Sequence, residues 1–470
     1  MMKFLRLYRR REMEPDFEGT TPLCMSQYGK LLGTARIPHV GRDALVTNHH
    51  AKHMIVLRNK QSFVVQLLDK NNNIIKPAEL ESKLAHIVKQ ADAAASGTVD
   101  EASAAGGVGL LTTLDRNTWA VQRQALASSN EALLEQVDSA LLVLCLDSAE
   151  QATLLDSARN MLHADGRNRW FDKFQVIVEP SGRVGINMEH APADGHSALR
   201  LATDVYYDLN GTRPMPLDEH EPPSSLPDVS QLQWRVTPDT VRAIGAADSS
   251  FQHLVASTDT SVLELPRFGR DAIKALGLAP DAFVQMSYQL ANFRLTGKLV
   301  STYESANTKQ FLHGRTETIR SASPEAAAFC RAFGSQTPDN VRALLKLATE
   351  AHSKHSLECK NGLGVDRHLF GLRMLAKHQQ QRIAGYNIPA IFLDPSYTTF
   401  TSNLLSTSNC GGDAMQLFGF GPVHPKGFGL GYMIKPSTLQ ITVTSFAKGQ
   451  SAVMADAITA ALDDMAALPR

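Results

Sequence analysis

Cysteine is scarce in this chain of 470 residues. The five cysteines lie far apart, and no two of them form a CxxC pair. An odd number of scattered cysteines indicates neither a disulfide framework nor a zinc ribbon. The sequence therefore favours a reducing compartment.

The chain also lacks an excess of charge of either sign. Lys and Arg together number 47, as do Asp and Glu, so the formal net charge is zero. This balance removes any general electrostatic attraction to nucleic acid or to an anionic membrane. We expect no nucleic-acid partner, and any phosphate site must be local.

Long hydrophobic runs are absent as well. The longest apolar stretch, 140–146, is far too short to span a bilayer, so no transmembrane segment is expected. A composition of 43% hydrophobic and 20% charged residues is typical of a folded soluble protein.

The first eleven residues are basic, but Glu12 and Glu14 follow at once, which leaves a mitochondrial and a cytoplasmic location both open.

The length is compatible with two to four domains, and we expect two. Prolines accumulate with acidic residues and serines over 211–230, a composition that cannot hold a helix interior. We therefore predict a basic extension over 1–21, an N-terminal domain over 22–230 and a C-terminal domain over 231–470. The segment 90–107 is small, polar and glycine-containing, which indicates a surface insertion.

Both halves mix strands with helices, which predicts α/β or α+β layers. A hairpin signal joins two short β-favouring runs, and apolar spacing after Asp194 predicts a helix. The predicted strands are 174–178, 184–188 and 439–446, and the other predicted helices are 280–297, 323–333 and 451–468.

The stretch 189–195 contains an HxxxDG arrangement formed by His190, Asp194 and Gly195. Imidazole titrates near neutrality, so a positioned histidine can take a proton from an alcohol while a new bond forms. Asp194 would then fix the local backbone and the ring. The pattern is common by chance, and a structural histidine is the alternative.

Nine blocks, in the same order, make the sequence similar to the carnitine/choline O-acyltransferases. The resemblance covers nearly the whole chain from about residue 22. It implies two related domains of the chloramphenicol-acetyltransferase type, each a mixed sheet flanked by helices, with the active-site tunnel between them. The blocks are 22–28 (PLCMSQY), 168–173 (NRWFDK), 189–195 (EHAPADG), 280–285 (PDAFVQ), 302–306 (TYESA), 314–321 (GRTETIRS), 366–369 (DRHL), 405–408 (LSTS) and 420–423 (FGPV).

The resemblance implies an enzyme that transfers acyl groups reversibly between coenzyme A and the hydroxyl of carnitine or choline. His190 would be the general base, assisted by Asp194, and no acyl-enzyme would form. Ser408 would donate a hydrogen bond to the oxyanion of the tetrahedral intermediate. A polar loop or a helix cap is the alternative for Ser406, Thr407 and Ser408. None of these steps needs a metal, and we expect none.

Recognition of the carnitine carboxylate is implied for Tyr303, Thr316 and Arg367, with Ser406 beside them. A guanidinium stays positively charged and can form two hydrogen bonds to one carboxylate. Choline-using relatives replace the arginine and the threonine with uncharged or apolar residues, so carnitine is favoured over choline. An ion pair with Asp194 is the alternative role for Arg367.

Two phenylalanines bear on the rest of the substrate. Phe420 matches the aromatic residue beside the trimethylammonium group, where a ring face attracts a cation; a core phenylalanine is the alternative. Phe418 stands where long-chain relatives have glycine and acetyl-preferring relatives have a large side chain. This residue predicts a plugged pocket and therefore acetyl or other short acyl groups, with medium or long chains as the alternative.

For coenzyme A, the segment 269–274 resembles a GKxxxK motif of the family with Arg270 in place of its first lysine. Arg270 and Lys274 would contact phosphate, and Asp281 is a further candidate contact. A solvated basic pair is the alternative for the two cations. Two histidine clusters, 49–53 and 352–359, lack a convincing fourth metal ligand.

A binding protein without activity is the rival from another class. The match begins inside the usual N-terminal region of the family, so an initial helical portion is expected to be missing. The loop 163–168 is also shorter than in relatives. Against this rival, His190, Ser408 and Arg367 are all retained, and we predict an active monomer whose substrates are carnitine and acyl-CoA.

Overall fold

A computed structural model describes residues 1–69, 71, 73–95, 107–210 and 229–469. The chain divides into two compact units. The first unit consists of Met1–Pro15 and Met25–Ala256, and the second of Asp16–Cys24 and Ser257–Arg470.

The first unit is built on a six-stranded mixed sheet, here called the first sheet. In order across the sheet, its strands are Ser230–Gln231, Gln61–Gln66, His53–Arg58, Val143–Leu146, Gln175–Val178 and Val184–Asn187. A two-stranded sheet pairs Thr34–Ile37 with Ala44–Thr47. The helices are Met2–Arg9, Tyr28–Leu31, Pro77–Ala95, Arg116–Ser139, Leu154–Leu162, Gly195–Asn210 and Pro238–Ser257, with a 3-10 turn at Val108–Thr113.

The second unit is built on another six-stranded mixed sheet, the second sheet. In order, its strands are Asp259–Leu265, Leu439–Ser445, Phe428–Ile434, Leu405–Asn409, Thr302–Asn307 and Thr316–Ile319. The short strands Phe17–Glu18 and Thr21–Pro22 pair with each other. The helices are Arg270–Ala275, Pro280–Thr296, Pro324–Ala332, Pro338–Lys360, Asp366–Arg382, Pro395–Phe400 and Gln450–Ala466, with 3-10 turns at Pro266–Phe268 and Ala390–Phe392.

The two sheets repeat one pattern of strand directions. Across each sheet, in the orders given above, successive pairs are antiparallel, antiparallel, parallel, parallel and antiparallel. The predicted α/β class, with two mixed sheets flanked by helices, is confirmed.

Alternation along the strands explains how the first sheet is covered. In the strand His53–Arg58, Met54 and Val56 belong to one apolar cluster, while Ile55 and Leu57 belong to another. Successive side chains of a strand point to opposite faces, so a run that is apolar throughout is buried on both sides. The first sheet therefore has a core on each face.

The second unit concentrates its apolar residues in one large core. This cluster joins Leu405, Leu430 and Ile441 of the second sheet to side chains of the helices Pro280–Thr296 and Gln450–Ala466. Within Pro280–Thr296, every residue from Ala282 to Asn292 is buried. A helix buried on all sides needs a partner for each of its polar side chains.

Local signals in the sequence explain the element ends. Proline begins the helix Pro280–Thr296, which confirms the helix predicted over 280–297, and Gly297 ends it in the left-handed conformation. Ser323 caps the helix Pro324–Ala332 by accepting a hydrogen bond from the backbone N–H of Ala326. The predicted hairpin is also confirmed, with Gln175–Val178 antiparallel to Val184–Asn187.

Two segments differ from their predictions. Residues 90–95 of the predicted insertion continue the helix Pro77–Ala95, because Ala91 packs in the core of the first unit. The part of the predicted insertion over 96–106 lies outside the described residues. The predicted boundary at 211–230 lies largely outside the described residues. The division between units falls after Ala256, because Ile244 and Ala247 of the helix Pro238–Ser257 pack in a core cluster of the first unit.

Among the described residues, no helix is both long enough and apolar enough to cross a bilayer.

Candidate functional site

His190 lies at the bend between the strand Val184–Asn187 and the helix Gly195–Asn210. Its side chain is 70% exposed, and its Nδ1 is 3.9 Å from Oδ1 of Asp194, whose side chain is 11% exposed. The structure therefore brings together the histidine and the aspartate of the HxxxDG arrangement. The distance exceeds that of a hydrogen bond, so the contact is an electrostatic one.

Gln27 holds Asp194 in place. The Gln27 amide donates to Oδ2 of Asp194 at 2.7 Å, and its Oε1 accepts from the backbone N–H of Asp194 at 2.8 Å. Ser197 also donates to Oε1 of Gln27, at 3.1 Å. Sequence reasoning did not single out Gln27, although the residue belongs to the block 22–28 that carried the resemblance.

Glu189 fixes the other side of the histidine. One of its carboxylate oxygens accepts from Arg36 at 3.2 Å, and the other accepts from the backbone N–H of Ala191 at 2.8 Å. Burial opposes the charge of Arg36, but Glu189 and Asp43 outweigh it and raise the pKa of this guanidinium. The turn around His190 is thus tied to the first unit from both ends.

In the second unit, one face of the second sheet presents polar side chains. Tyr303 is the parallel partner of Ser406, and Thr316 is the antiparallel partner of Asn307. Because the side-chain period of a strand is two, Tyr303, Thr316, Ser406 and Ser408 share this face. We call it the polar face.

Arg367 reaches the polar face from the helix Asp366–Arg382. Its Nε donates to the carbonyl of Thr316 at 3.1 Å, and its Nη2 donates to the Tyr303 hydroxyl at 3.1 Å and to Oγ1 of Thr316 at 3.2 Å. The structure therefore brings together the three residues predicted to bind a carboxylate.

The start of that helix is anchored by charge. The backbone N–H of Arg367 donates to Glu317 at 3.2 Å, as a helix N-terminus favours. Arg320 donates to Asp366 at 2.5 Å and to Asn403 at 2.6 Å. Arg367 therefore projects from a fixed helix end.

The two serines of the strand Leu405–Asn409 differ in exposure. Ser406 is buried, whereas Ser408 is partly exposed. The Ser408 hydroxyl lies 3.3 Å from that of Ser305, and either can be the donor. Ser408 is therefore accessible on the polar face with a neighbouring hydroxyl to orient it.

Phe418 and Phe420 lie over two glycines of the strand Phe428–Ile434. The ring centroids of the two phenylalanines are 5.9 Å apart, and Thr444 donates to the carbonyl of Phe420 at 2.7 Å. A Cβ at Gly431 would come within 2.6 Å of the Phe418 carbonyl, so this close approach requires glycine. Gly431 is the strand partner of Ser408, which places the two phenylalanines along the polar face.

The three predicted coenzyme A contacts lie in different surroundings. Arg270 and Lys274 are exposed on the helix Arg270–Ala275, and Arg270 Nε is 3.6 Å from Oδ1 of Asp271. Asp281 instead accepts from the Tyr432 hydroxyl at 2.8 Å and from Asn409 at 3.0 Å. The first two suit an exposed phosphate, whereas Asp281 is part of a hydrogen-bond network.

Asp281 also belongs to a charged cluster with Glu304 and His352. His352 Nε2 is 3.2 Å from Oε2 of Glu304 and 3.8 Å from Oδ2 of Asp281, and the Glu304 and His352 side chains are only 5% and 3% exposed. In the described part of the chain, these three side chains bring one ligand atom each to within 4.8 Å of one another, a grouping that could hold a metal ion. Sequence reasoning had grouped His352 with His355 and Cys359 instead.

Protons can also balance the charges of this cluster. Burial and the charge of Asp281 raise the pKa of Glu304 to about 8. Burial would lower the pKa of His352, but the two carboxylates raise it to about 10. Burial would raise the pKa of Asp281, but His352 and Glu304 lower it to about 2. At neutral pH, a protonated histidine thus faces one ionised and one protonated carboxyl group.

This cluster predicts that stability falls with rising pH. Glu304 and His352 both bind protons more tightly when folded than their ordinary pKa values of 4.5 and 6.5 allow. Their stabilisation is complete below those values and is lost as pH rises through about 8 and about 10. We expect the urea midpoint, followed by circular dichroism, to be lower at pH 9 than at pH 6.5.

The matched control is the double variant Glu304→Gln/His352→Gln, which removes both titrating groups. Its urea midpoint should depend less on pH over the same range, whatever its absolute stability. An unchanged pH dependence in the double variant would show that other groups cause the effect.

The choline/carnitine O-acyltransferase family model matches residues 1–460, so the chain belongs to this family. It is 36% identical over 452 residues to carnitine O-palmitoyltransferase 2, mitochondrial, of Xenopus tropicalis, covering 94% of this chain and 66% of that protein. It is 34% identical over 508 residues to the Saccharomyces cerevisiae protein named "Putative mitochondrial carnitine O-acetyltransferase", covering 95% and 72%. Choline O-acetyltransferase of Danio rerio is 32% identical over 444 residues, covering 91% and 68%.

Proposed function

We propose that the chain transfers an acyl group between coenzyme A and the hydroxyl of carnitine. The observation that carries this proposal is the placement of Arg367 against Tyr303 and Thr316, on the face that also presents Ser406 and Ser408. A cation with polar partners suits the carboxylate of carnitine, a group that choline lacks.

In the proposed reaction, His190 removes the proton from the carnitine hydroxyl as its oxygen attacks the thioester carbonyl. A C–O bond forms, and the Ser408 hydroxyl donates to the developing oxyanion. The C–S bond then breaks, and the coenzyme A sulfur takes the proton from His190. The reverse reaction follows the same steps, and no acyl-enzyme is needed. Asp194, held by Gln27, stabilises the protonated imidazole.

We propose that coenzyme A binds to the second unit through exposed cationic side chains. Arg270 and Lys274 lie four residues apart on one short helix, which suits contact with a phosphate group. Asp281 is proposed to act mainly through its bonds to Tyr432 and Asn409.

We propose that the transferred acyl group is short, and that Phe418 limits its length. The relatives bear names that differ in chain length, one a palmitoyltransferase and one an acetyltransferase. Phe418 is packed against Phe420 beside the polar face, where its ring would fill the space a long chain needs.

Replacing Phe418 with glycine should therefore shift the chain-length preference. We expect the ratio of kcat/KM for octanoyl-CoA to that for acetyl-CoA to rise about tenfold or more, because one aromatic ring leaves the acyl pocket. Steady-state kinetics with both thioesters measure the ratio. The matched control is Phe311→Gly, which removes an exposed phenylalanine of the same unit. A ratio that stays constant in Phe418→Gly would place the acyl pocket elsewhere.

Choline as acceptor and a binding role without activity remain the alternatives. Two relatives are named as mitochondrial proteins, which favours the mitochondrion of the two predicted compartments. The test is thiol release from acetyl-CoA, with carnitine or choline as acceptor, followed with a thiol reagent. Release that requires carnitine supports the proposal, and the absence of release from folded protein with either acceptor would contradict it.

A further inference from the structure

A row of polar side chains runs along the otherwise buried helix Pro280–Thr296. Asp281, Gln285 and Gln289 are spaced four residues apart and so share one face of the helix. Gln285 and Gln289 are completely buried. A buried amide is tolerated only when it is hydrogen-bonded, and the bonds of Gln285 lead to the strands of the candidate site.

Gln285 uses both amide hydrogens and its carbonyl oxygen. Its Nε2 donates to Oγ1 of Thr407 at 2.8 Å and to the hydroxyl of Tyr432 at 2.9 Å. Its Oε1 accepts from Ser321 at 3.0 Å. One side chain of the helix therefore contacts three different parts of the second unit.

Thr407 extends this bond across two strands. Its hydroxyl donates to the backbone carbonyl of Tyr303 at 2.9 Å. Thr407 stands between Ser406 and Ser408 but points to the opposite face of the second sheet, the face that the buried helix covers. The hydrogen bonds from Gln285 to Thr407 and from Thr407 to Tyr303 thus join the two strands that carry the proposed carnitine and oxyanion contacts.

The direction of these hydrogen bonds requires an amide at position 285. The Thr407 hydroxyl donates its proton to Tyr303, and the Tyr432 hydroxyl donates its proton to Asp281 at 2.8 Å. Both hydroxyl oxygens must therefore accept from Gln285, which only a group with two N–H donors can satisfy. A carboxylate of the same size would present acceptors to both hydroxyls.

We propose that Gln285 is a positioning residue for the acyl transfer. Acting through Thr407, it sets the relative placement of the strand with Ser406 and Ser408 and the strand with Tyr303. This inference rests on the proposed function. Gln285 itself faces the core, so it acts on the reaction only through the strands it joins.

The first test compares Gln285→Met and Gln285→Glu with Asn292→Leu. We expect kcat for acetyl transfer to fall about 10- to 100-fold in both Gln285 variants, because small displacements of reacting groups have effects of this size. The KM for acetyl-CoA should change less than threefold. Asn292 is a buried amide of the same helix, but its side chain donates to Thr296 and to the carbonyl of Lys298 at the C-terminal end of the helix. Asn292→Leu should therefore keep kcat within about twofold.

A double-mutant cycle tests the route through Thr407. Thr407→Val removes the hydroxyl while keeping the shape and should lower kcat as Gln285→Met does, whereas Thr407→Ser should restore most of the rate. If the two residues act as one chain, the double variant should lose no more than the worse single variant. Multiplicative losses, or equal losses in Gln285→Met and Asn292→Leu, would overturn the proposal.

Hydrogen exchange tests the positioning role of Gln285 independently of the proposed transferase activity. In Gln285→Met, amides of the strands Thr302–Asn307 and Leu405–Asn409 should exchange faster, while those of Leu439–Ser445 should be unchanged. This readout holds even for a protein that shows no transferase activity. Unchanged exchange in both strands would reject the positioning role, and absent activity in the unaltered chain would reject the proposed function alone.

Discussion

The variant His190→Ala is expected to lose about 100- to 10,000-fold in kcat for carnitine acetylation, because general base catalysis contributes factors of about 10² to 10⁴. Without the imidazole, the hydroxyl must lose its proton to water. The KM for acetyl-CoA should change little, since no coenzyme contact is assigned to His190. Steady-state thiol release over a range of acetyl-CoA concentrations gives both parameters.

His253→Ala is the matched control, because His253 is an exposed histidine on a helix of the same unit. This variant should retain full activity. Asp194→Asn should lose less than His190→Ala, since the electrostatic contact at 3.9 Å supports the imidazole without replacing it. A His190→Ala variant that is folded and retains more than a tenth of the activity would contradict the assigned role.

The second large effect is expected for Arg367→Ala. Loss of charge-assisted hydrogen bonds to the substrate carboxylate should weaken binding by roughly 3 kcal/mol, which raises the KM for carnitine about 100-fold. Choline carries no carboxylate, so any acetylation of choline should be almost unaffected. Steady-state kinetics with both acceptors at saturating acetyl-CoA measure this difference.

Two further variants sharpen that test. Arg367→Lys keeps the charge but loses the planar fork, so its KM for carnitine should lie between those of the unaltered chain and of Arg367→Ala. Arg382→Ala removes an exposed arginine from the last turn of the same helix and should leave the KM unchanged. Equal effects on carnitine and choline would show that Arg367 stabilises the helix start instead of binding the carboxylate.

The sequence indicated the residues that meet within a short distance along the chain or within a recognisable block. His190 and Asp194 lie four residues apart in one turn, where they come within 3.9 Å of each other. The grouping of Tyr303, Thr316 and Arg367 was predicted from resemblance and is formed by direct hydrogen bonds. Their chemical roles stay predictions until the variants are measured.

Long-range partners were not predictable in the same way. Gln27 contacts Asp194 across 167 positions of sequence, and Gln285 contacts Thr407 across 122. A glutamine in a sequence carries no sign of its partner, because an amide can both donate and accept. Only the packing of the helix Pro280–Thr296 on the second sheet shows where the hydrogen bonds of Gln285 lead.

The charged cluster was missed for a related reason. The spacing of His352, His355 and Cys359 fits one helix face, so the sequence grouped those three. The structure takes His352 into the core, where Glu304 and Asp281 meet it from other elements. Helical spacing limits which residues share a face but does not say what that face packs against.

The segment Asp16–Cys24 has a consequence for the order of folding during synthesis. This segment packs with the second unit, where Lys309 donates to Asp16 at 2.7 Å with both side chains buried. A ribosome releases residues 16–24 long before it has made Lys309. Most of the first unit can therefore fold early in synthesis, whereas Asp16 can pair with Lys309 only after the second unit has been made. A protein fragment that begins at Ser257 would leave the buried ammonium group of Lys309 without this carboxylate. We therefore expect that fragment to be less stable than the second unit of the whole chain.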